Sequence, residues 1–526
     1  MVTASELPIE TVREGTSATE MAQEIFGQGV TVTGATYYGD IDSAGTYSNA
    51  DSVMPGVAPS DSGVILSTGN AQDFTNSRGQ ANQDTDTGTN VSGIDNYSQF
   101  NNAAGTRTYD GSVLDVDFIP DSSVMTMQFV FSSEEYPEFQ NSIYQDFVGV
   151  WINGQLVELD VGNGDTDPGN INTTNNINMY VDNQNDEYNT EMDGFTITMT
   201  LTMNVNAGQT NSMRIAIADV SDSNYDSNLL IAGGSVQTTL VAVSDNVNVY
   251  PDGTTTLDVL DNDINNGGGT LTITHVNGKS VSAGSTITLP TGQEVTLNAD
   301  GTFSVVGDGD EEDFNFTYTM SNGTSSDVGF VNATSVPCFV AGTLISTPDG
   351  DRPAETLRPG DMVLTKDEGA QPLRWIGSRN VTATGPFAPV HISAGTFGAH
   401  RDLLVSPLHR VVIRDVLAEL LFGEDEVLVA ARDLVNDVSI TRRAGGTVTY
   451  VHLLFDRHQV VFSEGLETES FLPGPQTSSS FEAEAVAEIF SLFPELDPAT
   501  GAGFPTAARR MLKRYEAELL RAAKAA

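Results

Sequence analysis

The chain has 526 residues, in which 71 Asp and Glu oppose 23 Lys and Arg for a formal charge of −48. A length of about 100–200 residues per domain predicts several domains, each able to bury its own core. The charge argues against a nucleic-acid binder, whose affinity rests on Lys and Arg neutralising phosphates, and against docking on an anionic bilayer. With a single cysteine there is no internal disulfide framework and no cysteine-rich zinc site. No run of about 18 apolar residues offers a membrane-spanning helix. The opening residues Met1 to Leu7 lack the basic and apolar regions of a general-secretory signal peptide.

The composition breaks near residue 337. Residues 1–337 hold five basic residues (Arg13, Arg78, Arg107, Arg214, Lys279) against 46 acidic ones, a net of 5 − 46 = −41. The remainder holds 18 basic and 25 acidic residues, a net of −7. Five of the six histidines also lie after the break. The first part is rich in Gly, Asn, Thr and Asp, a composition found in β-rich proteins of calcium-containing media and equally in halophilic or marine surfaces.

In the acidic part, helical patterning is confined to about residues 16–26, where Thr16 or Ser17 offers a cap and Ala18, Met21, Ala22, Ile25 and Phe26 recur on one side. Residues 124–131 (VMTMQFVF) and 195–202 (FTITMTLT) alternate with period two, as half-buried strands do, and predict an antiparallel β-sandwich. Asp219, Asp222 and Asp226, with Glu134, Glu135 and Asp146, could supply oxygen ligands to a calcium ion; the plainer reading is that they cap turns and keep the surface soluble. Four ordered strings, residues 63–69 (GVILSTG), 131–139 (FSSEEYPEF), 146–151 (DFVGVW) and 217–227 (IADVSDSNYDS), resemble the choice-of-anchor L domains of bacterial secreted and surface proteins, over residues 1–237. That family has no agreed activity, so the resemblance implies a surface module and no chemistry.

Residues 238–335 form a second β unit. The strand-like 254–260 (TTTLDVL) followed by Asp261-Asn262-Asp263, and 293–305 (QEVTLNADGTFSV), resemble the cadherin-like or immunoglobulin-like modules of bacterial surface proteins. Such a module is a spacer before it is a ligand-binding domain.

Residues 336–473 open on Pro337-Cys338-Phe339-Val340 and place the only thiol at the start of a domain. A thiol there can attack the carbonyl of the preceding residue and turn the Pro337–Cys338 peptide bond into a thioester. The shift needs a proton donor for the departing nitrogen, donors for the transient oxyanion and some thiolate character, and the histidines of this part are the candidates. The competing reading of Cys338 is a small buried hydrophobe, and of His409 a satisfied structural histidine.

Three ordered blocks resemble Hedgehog/intein (Hint) domains. The first is Cys338 to Thr343 (CFVAGT), with Pro348-Asp349-Gly350 and 357–363 (LRPGDMV); the second is 404–411 (LVSPLHRV); the third is 450–458 (YVHLLFDRH), leading to 460–466 (VVFSEGL). The resemblance implies an all-β autoprocessing domain in which Cys338 is the nucleophile, His409 protonates the leaving nitrogen, and Ser406, at a threonine position of the family, orients the scissile peptide. His452, Asp456 and His458 are weaker candidates for a second acid–base group; their even spacing would put them on one strand face, where two His and one Asp could also hold zinc. No cofactor is required for the reaction.

Two departures matter. Inteins end in His-Asn and a nucleophile, whereas here Gly465-Leu466 runs into Glu467-Thr468-Glu469-Ser470, so splicing is not expected. Pro337 stiffens the carbonyl under attack and predicts a slow or conditional shift. Residues 474–526 read as a linker (Pro473 to Ser480) and a helical tail, Phe481–Phe493 and about Thr506 to Ala523, with a basic cluster, Arg509 to Arg514, on a helix. This tail is a cap on the Hint domain or a secretion signal. The expectation is an exported surface protein, adhesin-like, mainly β, with a short helical tail. Its Hint domain would cleave or transfer residues 1–337 to an unidentified acceptor nucleophile. The rival is a structural or adhesive protein with an inactive Hint fold and an unidentified surface ligand.

Overall fold

The structure, a computed structural model, describes all residues except 1–2, 78–80, 82–86, 141, 163, 250–253, 308–313, 335–337, 384–387, 437, 473–492, 494–506, 513–516, 518–519 and 521–526. Pro337, the proposed linker and all of the first tail segment but Phe493 therefore lie outside the described residues. The chain forms two compact units, one of Met1–Asp245, Thr256–Ser304 and Phe314–Asn332, the other of Asn246–Thr255, Val305–Asp313 and Ala333–Ala526. Both are mainly β, with four short α-helices among the described residues.

In the first unit two antiparallel sheets face each other. One is built around strand Val124–Ser133, which pairs Ser227–Ala232 on one side and Gly194–Thr196 with Met199–Asn204 on the other. The second runs Val30–Tyr38, Thr108–Pro120, Asn211–Val220, Phe147–Ile152. The core between them includes Phe118, Met127, Phe129, Phe131, Ile215, Ile217 and Leu229. Strand Val124–Ser133 was expected to be half-buried but is buried on both faces, because Val130 joins a second cluster with Tyr47, Ile65, Phe74, Phe195 and Leu230. The predicted run 195–202 splits into two strands where Ile197 turns its N–H to Met179 O. Ser17 caps helix Ala18–Ile25, and Glu20 returns the bond in a capping box. Three further helices that the patterning missed are Ala50–Val53, Ser98–Ala104 and Val416–Phe422.

The same unit holds the hairpin Thr286–Thr288 with Glu294–Leu297, and the antiparallel pair Thr272–Val276 with Phe314–Ser321. Phe303 meets Phe316 and Tyr318 edge-on, with centroids 5.8 and 6.4 Å away. Buried polar groups tie this part to the sandwich. Gln128 Nε2 donates to Ser326 O and to Asp327 Oδ1, both at 3.0 Å, and Asn178 Nδ2 donates to Asn315 O at 2.9 Å. Asp327 Oδ2 in turn accepts the Ala242 N–H at 2.8 Å.

The second unit has two mainly antiparallel sheets among the described residues. One runs Trp375–Thr382, Thr447–Leu454, Phe339–Val340, Leu403–Val405, Val390–Ile392, Ile440–Arg442. The other includes Leu344–Thr347, Val460–Ser463, Leu466–Glu469, Arg410–Arg414 and Glu426–Ala430. Apolar side chains from both, among them Phe339, Ile345, Val405, Val411, Val429, Val451 and Val461, share one core.

The tail departs from expectation. Arg509 and Arg510 are not on a helix: Arg510–Met511 is a strand running parallel to Glu426–Ala430. Arg509 is fixed by Glu426, Nε to Oε2 at 2.8 Å, and by Asp367, Nη2 to Oδ1 at 2.7 Å. The sheet edge offered by Glu426–Ala430 and these two carboxylates outweighs the helical propensity of the segment. Leu512, Ala517 and Leu520 then enter the core of the unit.

Candidate functional site

Strand pairing places Cys338. Phe339 stands opposite Val405 on one neighbour and opposite Val451 on the other, so the antiparallel register sets Cys338 across from Ser406 and from His452. The side chains follow. Ser406 Oγ accepts the Cys338 N–H at 2.8 Å, and the Ser406 N–H donates to Cys338 O at 3.0 Å. On the opposite side Cys338 Sγ lies 3.4 Å from His452 Nε2. All three residues are buried. The hydrogen-bonded nitrogen is the one that would leave in the shift, and the thiol touches a base.

His409 follows Ser406 in a turn closed by its N–H on Ser406 O at 3.1 Å, while its carbonyl accepts the Ala431 N–H at 3.0 Å. Its ring packs on Phe339, the residue after the nucleophile, with centroids 4.3 Å apart. Neither ring nitrogen has a hydrogen-bond partner among the described residues, although the residue is 1% exposed. Burial pushes its imidazolium down to about 4; Glu469 pulls the other way, and Arg410 and His458 add to the fall.

Asp456 and His458 do not join this site. Strand Thr447–Leu454 ends before them, so the alternation that would have aligned them with His452 stops. Asp456 is exposed and paired with Arg374, Oδ1 to Nε 2.6 Å. His458 is buried elsewhere: Nδ1 accepts the Ala508 N–H at 3.0 Å, and Nε2 faces Ser470 O at 3.1 Å and Glu469 Oε2 at 3.5 Å. The arrangement of His452, Asp456 and His458 about a zinc ion is not formed.

Glu469, which the sequence reading passed over, is fully buried beside this site. Oε1 accepts the Arg410 N–H at 2.8 Å, and the Arg410 guanidinium stands 3.4 Å away. Burial pushes its carboxyl up, but Arg410 and then His458 outweigh burial and hold it at about 2.

The six acidic residues expected to offer oxygen ligands to calcium lie partly together in the first unit. Glu134, Glu135, Asp146, Asp219 and Asp226 are buried, while Asp222 sits half-exposed in a turn. A register irregularity between Ile217 and Asp219 falls where Asp219 turns inward. Asp146 accepts the Val220 N–H at 3.1 Å and the Ser227 hydroxyl at 2.7 Å. Among the described residues no three His, Cys, Asp or Glu side chains form a group able to hold a metal ion. None of the six is ion-paired with Lys or Arg among those residues either. Burial instead pushes the carboxyls up: Glu134, beside Asp193, to about 9; Glu135, beside Asp146 and Asp222, to about 10; Asp226 to about 7. Asp146 and Asp219 are raised well above the usual range by burial and further by neighbouring aspartates. In each of these groups burial favours the protonated form.

Family models match three consecutive segments: a choice-of-anchor L domain over residues 10–237, a bacterial Ig domain over 237–334 and a Hint domain over 337–475. The chain carries these three domains in that order. Solved structures similar to it include the gp41-1 intein, with 10% identity over 26% of this chain and 98% of that one at a TM-score of 0.17. The MchDnaB-1 intein is similar at 14% identity over 25% of this chain and 98% of that one, TM-score 0.18. Extracellular domains 3–5 of Drosophila OTK match at 12% identity over 64% of this chain and 87% of that one, TM-score 0.16. No curated protein matches the chain. No helix among the described residues is long and apolar enough to cross a membrane.

Proposed function

We propose that the Hint domain breaks the chain at Pro337–Cys338 by an N-to-S acyl shift and thereby releases or transfers the two domains before it. The observation that carries this reading is the pair of contacts on one residue, Ser406 Oγ on the Cys338 N–H at 2.8 Å and His452 Nε2 at 3.4 Å from its thiol. Attack by Sγ on the Pro337 carbonyl carbon forms the C–S bond while His452 Nε2 takes the thiol proton. The tetrahedral oxyanion then collapses, the C–N bond breaks, and the Cys338 nitrogen receives a proton from His409 to become a free amine. Ser406 holds that nitrogen in place throughout. A thioester remains on residues 1–337, open to water or to an outside nucleophile. With Glu467-Thr468-Glu469-Ser470 in place of an intein's closing residues, the reaction stops before splicing. We further infer an exported, surface-located protein, on the strength of the choice-of-anchor L match.

Intact mass spectrometry of the purified chain, with and without hydroxylamine or dithiothreitol, tests the reading. Fragments split between Pro337 and Cys338, raised by the added nucleophile and absent in Cys338→Ala, are expected. His452→Ala should slow the split by about 10²-fold or more, the usual worth of a general base. A chain that stays whole under every condition would establish the structural alternative instead.

A further inference from the structure

Glu469 is a fully buried carboxylate bonded to the residue that follows His409. It sits on strand Leu466–Glu469, beside strand Arg410–Arg414, with Val411 opposite Thr468. From there Oε1 takes the N–H of the residue that follows His409, at 2.8 Å. Its other neighbours are the Arg410 guanidinium and His458 Nε2. Because His458 Nδ1 accepts the Ala508 N–H, its proton is on Nε2, directed at Ser470 O and Glu469. Among the described residues, the charged and titratable groups acting on His409 are Glu469 on one side and Arg410 and His458 on the other. A buried imidazole carries a positive charge more readily the closer an anion stands to it, and Glu469 is the anion acting on His409 among the described residues.

We propose that Glu469 is a positioning residue of the autoprocessing site, supplying the countercharge against which His409 is protonated. This rests on the reading of His409 as the proton donor to the Cys338 nitrogen. In that step a proton moves from the His409 ring to the leaving amine, so the site must first hold imidazolium, and Glu469 sets how much of it exists at a given pH. The carboxylate does not touch the scissile bond. It acts through the turn it grips and the field it imposes.

The test separates this role from the reaction itself. Full-length chain carrying Cys338→Ala, and therefore whole, is labelled at the histidine rings and titrated by NMR from neutral to acid pH, alone and with Glu469→Gln. Gln is isosteric and keeps an acceptor for the Arg410 N–H, so the turn is preserved while the charge is lost. The His409 midpoint is expected to fall by about one pH unit or more, the effect of removing an opposite charge at close range, while Glu469→Asp stays near the parent. Arg410→Gln, which takes away the repelling cation, should move the midpoint the other way; it also serves if Glu469→Gln fails to fold. An unchanged midpoint in Glu469→Gln, or no rise in Arg410→Gln, overturns the proposal. With Cys338 present, Glu469→Gln should cleave about tenfold more slowly at neutral pH, the fold-change matching one unit of imidazolium. A chain that never cleaves would defeat the proposed function, whereas the titration decides the role of Glu469 either way.

Discussion

Ending the chain at residue 506 is expected to destabilise the Hint domain by roughly 5 kcal/mol or more, a large part of the stability of an ordinary domain. The sum has named sources. Leu512 and Leu520 are each about 5% exposed or less in the domain core, and each contributes about 1.5–3 kcal/mol by burial. Arg510–Met511 closes the edge of strand Glu426–Ala430, Arg509 answers Glu426 and Asp367, and the Ala508 N–H holds His458. Amide hydrogen exchange in residues 426–430 should accelerate sharply in the truncated chain, and the single change Leu512→Ala should give about 2–3 kcal/mol of the loss. Unaltered protection would mean that the tail is an appendage, free to serve as an export signal.

The second large effect is a fall in the stability of the acidic unit as pH rises. Glu134, Glu135 and Asp226 release their protons in the unfolded chain near the ordinary carboxylate range, yet keep them when folded up to about 9, 10 and 7. Between those limits the folded state binds more protons than the unfolded one, so stability is greatest near pH 4 to 5 and declines upward. Each such group costs up to about 1.4 kcal/mol per pH unit over its window. Thermal melts of the whole chain at pH 5 and pH 8, with a chelator present, should show the first unit melting lower at pH 8. Glu135→Gln should raise that melting point at pH 8 by about 2–5 °C and leave it unchanged at pH 5. If the melt is flat in pH, or if calcium at pH 8 restores what the chelator removes, a bound cation and not a proton neutralises the cluster.

What the sequence revealed and what it concealed divide along a physical line. Cys338 was legible as a lone thiol at the opening of a domain, and Ser406 and His409 through the resemblance to Hint domains, whose threonine and histidine places they occupy within one short string. Helix Ala18–Ile25 was legible because its cap and apolar positions are local. Glu469 was not, since it reaches the Arg410 N–H by pairing between strands distant in the chain, and nothing in a stretch such as Glu467-Thr468-Glu469 says which carboxylate turns inward. His458 was misplaced because even spacing was extended past the end of strand Thr447–Leu454. The burial of Asp146 and Asp219 was not legible either, since it depends on a strand irregularity and on packing no local pattern encodes.

The contacts of Gln128 with Ser326 and Asp327 bear on what an acceptor molecule would receive. They are made between residues about 200 positions apart, and all of them lie on the amino-terminal side of Cys338. Scission at Pro337 cuts none of them. The departing material would therefore keep these bonds and leave as one piece, with its reactive end at residue 337, so any surface that captured the thioester would acquire the whole anionic segment, with its net charge of −41, through a single covalent link.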